Sequence, residues 1–165
     1  MNRFKAGLHR FYQSIGEGVI FLETALLKTG ASASARQQHT RVEVVPMEKE
    51  VFEDAHLFFR KAVNDFVEEG NNTNKSLIDT TGKGLRRCVP SGFSYFHVSW
   101  AGGGLVHPIE EEREFPLAFG MDVAAGMMGL GPSRMGRREG RRRSAEEDAR
   151  EAKDFAAKWE AFLVP

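Results

Sequence analysis

Ser94-Tyr95-Phe96-His97-Val98-Ser99-Trp100 runs through Ala101 into Gly102-Gly103-Gly104 and then Leu105-Val106-His107-Pro108-Ile109. In the first run Tyr95, Phe96, Val98 and Trp100 follow the two-residue period of a strand. The glycines supply a tight connection, and the apolar run beyond them resumes as a second strand, so the stretch is a hairpin-like unit with a glycine-rich turn. A phosphate cradle is the competing reading of the three glycines. It lacks the Lys-Ser/Thr of a P-loop and the spacing of a dinucleotide fingerprint, and it opens no helix. A turn is therefore expected there.

Working outward, Lys83 to Pro90 is short and basic, and Asn71 to Asn74 reads as a turn. The spacing predicts one long helix over Glu48 to Glu69, with Val51, Ala55, Phe58, Phe59, Ala62, Phe66 and Val67 as its apolar stripe. His39 to Val45 alternates up to Val44 and is expected to be a half-buried strand stopped by Pro46. Val19-Ile20-Phe21-Leu22 is a short apolar run with the look of a buried strand, and the small, polar residues 29–38 between the two read as a loop. The two strands are expected to form an antiparallel pair. Phe4, Leu8, Phe11 and Ile15 predict a helix over Asn2 to Ile15, ending near Gly16 and Gly18. On the other side, Phe115 to Leu130 looks helical from Pro116, with Gly120, Gly126 and Gly129 permitting close packing. A last helix over Ser144 to Leu163 opens on a capping box, Ser144 and Glu147, and lines Ala149, Ala152, Phe155, Ala156, Trp159 and Phe162 along one face. Strands and helices mix without a regular βαβ alternation, which makes the class α+β.

The chain has 165 residues, of which 41% are hydrophobic and 28% charged, within the range of globular domains. No apolar run has the length of a membrane span, so no membrane partner is expected. Lys plus Arg and Asp plus Glu are both 23, so any nucleic-acid contact must come from a local patch. One cysteine, Cys88, rules out an internal disulfide and a thiolate zinc site. Met1 to Gly16 holds Arg3, Lys5 and Arg10 with no acid before Glu17, a pattern shared by mitochondrial presequences and by core-facing helices.

His9, His39, His56, His97 and His107 show no metal-type spacing, and no metal or cofactor is expected. His107 is singled out because it follows the glycine turn and precedes Glu110, Glu111 and Glu112. No serine lies in a Gly-x-Ser-x-Gly context, and no histidine can be assigned to Cys88, so no nucleophile is identified. Two basic clusters point to phosphate. Lys83, Arg86 and Arg87 sit beside the aromatic strand. Arg134, Arg137, Arg138, Arg141, Arg142 and Arg143 crowd a glycine-interrupted segment. A solvated linker ahead of the acidic start of the last helix is the competing reading of that second cluster.

The blocks Lys83 to Pro90, Tyr95 to Val98, Gly103 to Glu110, Phe115-Pro116, Phe119-Gly120 and Ala125 to Leu130 resemble, in order and spacing, the second C-terminal domain of the CwfJ family. Val19 to Glu23 followed by His39 to Pro46 resembles the final part of the first CwfJ C-terminal domain, which is related to the HIT fold. The resemblance covers roughly residues 4–163. It implies an α+β chain with a partial HIT-like antiparallel sheet and helices over 1–47, followed by the second CwfJ C-terminal α+β domain over 48–165.

Active HIT hydrolases carry His-x-His-x-His on one strand, with the middle histidine attacking phosphorus. Those positions map onto His39, Arg41 and Glu43. A guanidinium stays protonated and cannot be that nucleophile, so the resemblance implies a degenerate motif, no catalytic residue and a pseudoenzyme. The chain starts inside the HIT-like unit, so a second chain or neighbouring subunits are expected to complete its sheet. CwfJ-family proteins associate with late spliceosomes and with the lariat debranching enzyme. The resemblance thus implies a nuclear, non-catalytic scaffold binding RNA and protein subunits of a large ribonucleoprotein. Lys83, Arg86, Arg87, His107 and the six clustered arginines would lie on the RNA. A structural subunit of another ribonucleoprotein, such as a mitochondrial ribosome, is the first alternative. A HIT-like phosphodiesterase or nucleotide hydrolase using His39 or His107 is the second.

Overall fold

A strand buried on both faces loses its alternation and reads as a continuous apolar run, and Val19 to Leu22 is such a run. In the computed structural model, which describes residues 2–26, 41–69, 77–131 and 144–162, Val19, Ile20, Phe21 and Leu22 are each buried. They lie on β1 (Glu17–Ala25), whose partner on one side is β2 (Arg41–Glu48). The expected antiparallel pair is present. β2 does not stop at Pro46, which pairs with Val19 inside the ladder. A proline lacks only the donor, and β2 is an edge strand of the sheet, where one side of the ladder needs none.

The hairpin is also present. β4 (Ser94–Trp100) and β5 (Gly103–Ile109) pair antiparallel, and Ala101-Gly102 makes the two-residue turn. Gly102 takes φ +79°, a conformation that suits glycine. The run of glycines outlasts the turn because of close approach. A Cβ at Gly104 would fall 2.8 Å from both Thr80 Oγ1 and the Val98 carbonyl oxygen. With the two-residue β3 (Ile78–Asp79) at the far side, the sheet order is β2-β1-β4-β5-β3. Both edges of β1 are thus occupied within the chain, by β2 and β4. The sheet is continuous across residue 47.

One face of this sheet carries Ile20, Leu22, Phe96, Val98 and Leu105, and it packs against helices. The helix expected over Glu48 to Glu69 is two helices, α2 (Lys49–Glu53) and α3 (Ala55–Glu69), separated at Asp54. α2 contacts β1 and β2, whereas α3 contacts β5 and the later helix over Phe119–Met127. The buried side of α3 is Ala55, Phe59, Val63 and Val67, a strict four-residue stripe. Phe58, expected on it, falls one position off and is half exposed.

Helix α5 (Phe119–Met127) starts later than expected, because Phe115 turns into the core instead of opening it. There Phe115 meets Phe66, Phe96 and Phe119 at ring separations of 5.2–5.8 Å. Gly120 does permit close packing, with a virtual Cβ 2.8 Å from the Phe96 ring. Gly126 and Gly129 face open space and do not.

The opposite face receives α1 (Asn2–Ser14), which ends at the expected place. Its stripe is not uniformly buried. Phe11 is enclosed, while Phe4 and Ile15 are exposed. Phe11 is enclosed by Phe155, Trp159 and Phe162 at 5.3–6.4 Å. The first two of these lie on the last helix, α6 (Ala145–Trp159), and Phe162 lies in the 3-10 turn that follows it. Ser144 caps α6 through the Glu147 amide, and the Glu147 carboxylate accepts from the Ser144 amide, the capping box read from sequence.

Candidate nucleic-acid interface

Strand alternation decides which polar residues share a surface. In the β1–β4–β5 register, Phe21 stands beside Ser99, Glu23 beside His97 and Ala25 beside Tyr95, all on the α1 face. Lys5 reaches this row from α1. Its Nζ donates to Ser99 Oγ at 3.2 Å, lies 3.8 Å from Glu23 Oε2 and sits 5.3 Å above the Phe21 ring. The Tyr95 hydroxyl donates to Glu23 Oε1. A carboxylate on a largely buried face is thereby held by an ammonium on one side and a phenol on the other.

Burial and the nearby Lys5 charge push the pKa of His97 down to about 4, against the opposing pull of Glu23. The imidazole is therefore neutral near pH 7. Its Nε2 lies 3.4 Å from Thr80 Oγ1, and its buried Nδ1 has no hydrogen-bond partner among the described residues. Burial also lowers the pKa of Lys5, with Glu23 restoring part of it, and burial raises that of Tyr95.

This polar row forms the floor of a cleft of about 1080 Å³. Lys5 and Arg10 of α1 stand on one side. Lys83, Arg86 and Arg87 stand on another, brought there by the Thr80 to Gly84 turn and the short helix α4 (Leu85–Cys88). Among the described residues the lining holds five Lys or Arg side chains and one carboxylate, Glu23. Among the described residues, Lys83, Arg86 and Arg87 enter no ion pair, and all three are exposed. A concave surface with unpaired cations at its rim concentrates potential and attracts anions.

The sequence-predicted residues do not all meet here. Lys83, Arg86 and Arg87 line the cleft. His107 does not: it pairs with Phe96 across the hairpin and so faces the helix-packed core, where it is buried. The parity of its own strand settles this, since its neighbour Val106 pairs with His97. Arg41 and Glu43 bond each other at 3.0 Å. They share the face of Leu22, opposite the cleft, whereas Val42 between them lines it. His39 and Arg134, Arg137, Arg138, Arg141, Arg142 and Arg143 lie outside the described residues. Sequence reasoning missed Lys5, Arg10, Glu23, His97 and Ser99. The signal was the polar parity of His97 and Ser99 against Phe96 and Val98.

Two family models match, one described as "Protein similar to CwfJ C-terminal" over residues 1–60 and one as "Protein similar to CwfJ C-terminus 2" over residues 70–162. The chain belongs to the CwfJ C-terminal family. Similar relatives include "CWF19-like protein 2" of Homo sapiens, 34% identical over 96% of this chain and 17% of the relative. The Caenorhabditis elegans "CWF19-like protein 2 homolog" is 34% identical over 97% of this chain and 33% of the relative. "Pre-mRNA-splicing factor cwf19" of Schizosaccharomyces pombe is 32% identical over 62% of this chain and 16% of the relative. The chain thus spans a third or less of the length of these CwfJ-family relatives. Both CwfJ models contribute to the cleft: Lys5, Arg10, Glu23 and Val42 fall in the first, Lys83, Arg86, Arg87, His97 and Ser99 in the second.

Proposed function

We propose that this chain is a non-catalytic RNA- and protein-binding module of the splicing machinery, acting in the nucleus around late spliceosomes and intron-lariat turnover. The observation that carries the RNA contact is the cleft itself: among the described residues, five cationic side chains surround one carboxylate, and Lys83, Arg86 and Arg87 enter no ion pair. Phosphates satisfy such groups without sequence preference, which suits a scaffold. The arginine-rich segment adds further phosphate contacts on this reading. The names of the relatives supply the splicing context.

The non-catalytic part rests on Arg41, which stands where a HIT hydrolase has its nucleophile and is engaged by Glu43. Protein subunits, the lariat debranching enzyme among them, are the proposed protein partners. A second chain extending the HIT-like sheet would have to pair outside β2, since β4 holds the other edge of β1. The test is recovery of RNA and proteins with the tagged chain from nuclei. Spliceosomal RNA and debranching enzyme are expected. Ribosomal RNA with a mitochondrial location would overturn the assignment.

A further inference from the structure

Cations at a rim explain attraction to any polyanion, but the floor of this cleft is more particular. Ser99 is buried on the sheet, lines the cleft, and uses one oxygen lone pair on Lys5 Nζ. A hydroxyl offers one donor and two acceptor sites, so the Ser99 proton and a second lone pair remain for a ligand hydroxyl. Lys5 is itself fixed between Ser99, Glu23 and Phe21, which orients that hydroxyl before any ligand arrives. Above the floor, Val42 and Leu85 give the cleft an apolar wall, while Trp100, one position off Ser99, packs against the helix-covered core.

A cleft of about 1080 Å³ lies just above the ~300–1,000 Å³ range of pockets for drug-sized molecules. A nucleotide is of that size and fits within. A duplex is far wider than one strand and has its bases turned inward, so it can touch the rim but cannot lay a base against the apolar wall.

From this we propose that the cleft takes unpaired ribonucleotides. Phosphates rest on Lys83, Arg86 and Arg87, a base lies against the wall of Val42 and Leu85, and the ribose 2′-hydroxyl hydrogen-bonds to Ser99. The inference rests on the phosphate reading above and adds strand state and sugar to it. Deoxyribose leaves the Ser99 hydroxyl without that partner, and one such lost bond weakens binding about threefold to tenfold.

The experiment is anisotropy titration of the chain with labelled oligouridylate, with the deoxy version of the same sequence, and with a duplex RNA of equal length. The expected order is single-stranded RNA first, DNA weaker by about threefold to tenfold, and duplex weakest. Ser99→Ala, checked for an unchanged unfolding midpoint, is expected to bring RNA affinity down to that of DNA. Equal affinity for all three forms overturns the inference and leaves the phosphate reading standing. So does an RNA preference that survives Ser99→Ala. Failure of every oligonucleotide to bind at low salt sinks the phosphate reading, and this inference with it.

Discussion

Glu23 on β1 and His97 on β4 are direct cross-strand partners, and the His97 imidazole is neutral near pH 7. The carboxylate is held by Lys5 and Tyr95, while the imidazole, buried beside the same ammonium, is driven to its neutral form. The folded protein therefore binds fewer protons at position 97 than the unfolded chain does between the unfolded pKa near 6.5 and the folded value of about 4.

Stability is full above the unfolded value and falls as pH drops through that window. From pH 7 to pH 5 this one group should remove about 2 kcal/mol of unfolding free energy. Urea denaturation of the chain and of His97→Asn at the two pH values checks it. The wild type should lose more stability than the variant. Parallel losses would contradict the placement of His97.

Lys5 is the partner that makes burial of Glu23 tolerable. Lys5→Met keeps an unbranched side chain of similar length and removes the charge, so the cost falls on an uncompensated carboxylate, about 1–3 kcal/mol. Glu23→Gln in the same chain should recover part of that loss, because a neutral amide needs no counterion. A double-mutant cycle by chemical denaturation gives the coupling.

Gly120 and Gly126 share α5 but meet different surroundings. A methyl group at 120 would press on the Phe96 ring and lie 3.2 Å from Leu22 Cδ1, so Gly120→Ala should destabilise by about 1–3 kcal/mol. Nothing lies within 4 Å of a Cβ at 126, and Gly126→Ala should stabilise by about 0.5–1 kcal/mol through helix propensity. Thermal unfolding of the two variants should move in opposite directions.

The fold was legible wherever a period was short and self-consistent. The alternation of Ser94 to Trp100, the doubly buried run of β1 and the capping box at Ser144 each state their structure locally. The break at Asp54 was not legible, because the apolar spacing runs on through it while α2 and α3 pack on different elements. The cleft was half legible. Lys83, Arg86 and Arg87 are adjacent in sequence, so their charge is visible as a cluster. Lys5 and Ser99 are 94 residues apart and Glu23 and Tyr95 are 72 apart, and each looks like an ordinary helix or strand residue until the register joins them. His107 drew attention by its neighbours in sequence, yet pleating turns it to the other face.

The most direct measurement is the salt dependence of single-stranded RNA binding by the chain and by Arg86→Glu/Arg87→Glu. Each phosphate contact on a single strand contributes about −0.7 to the slope of log K against log salt. The double variant should bind more weakly at low salt, with a slope shallower by about 1–2 units. Identical affinity and identical slope would mean that the basic rim does not meet RNA.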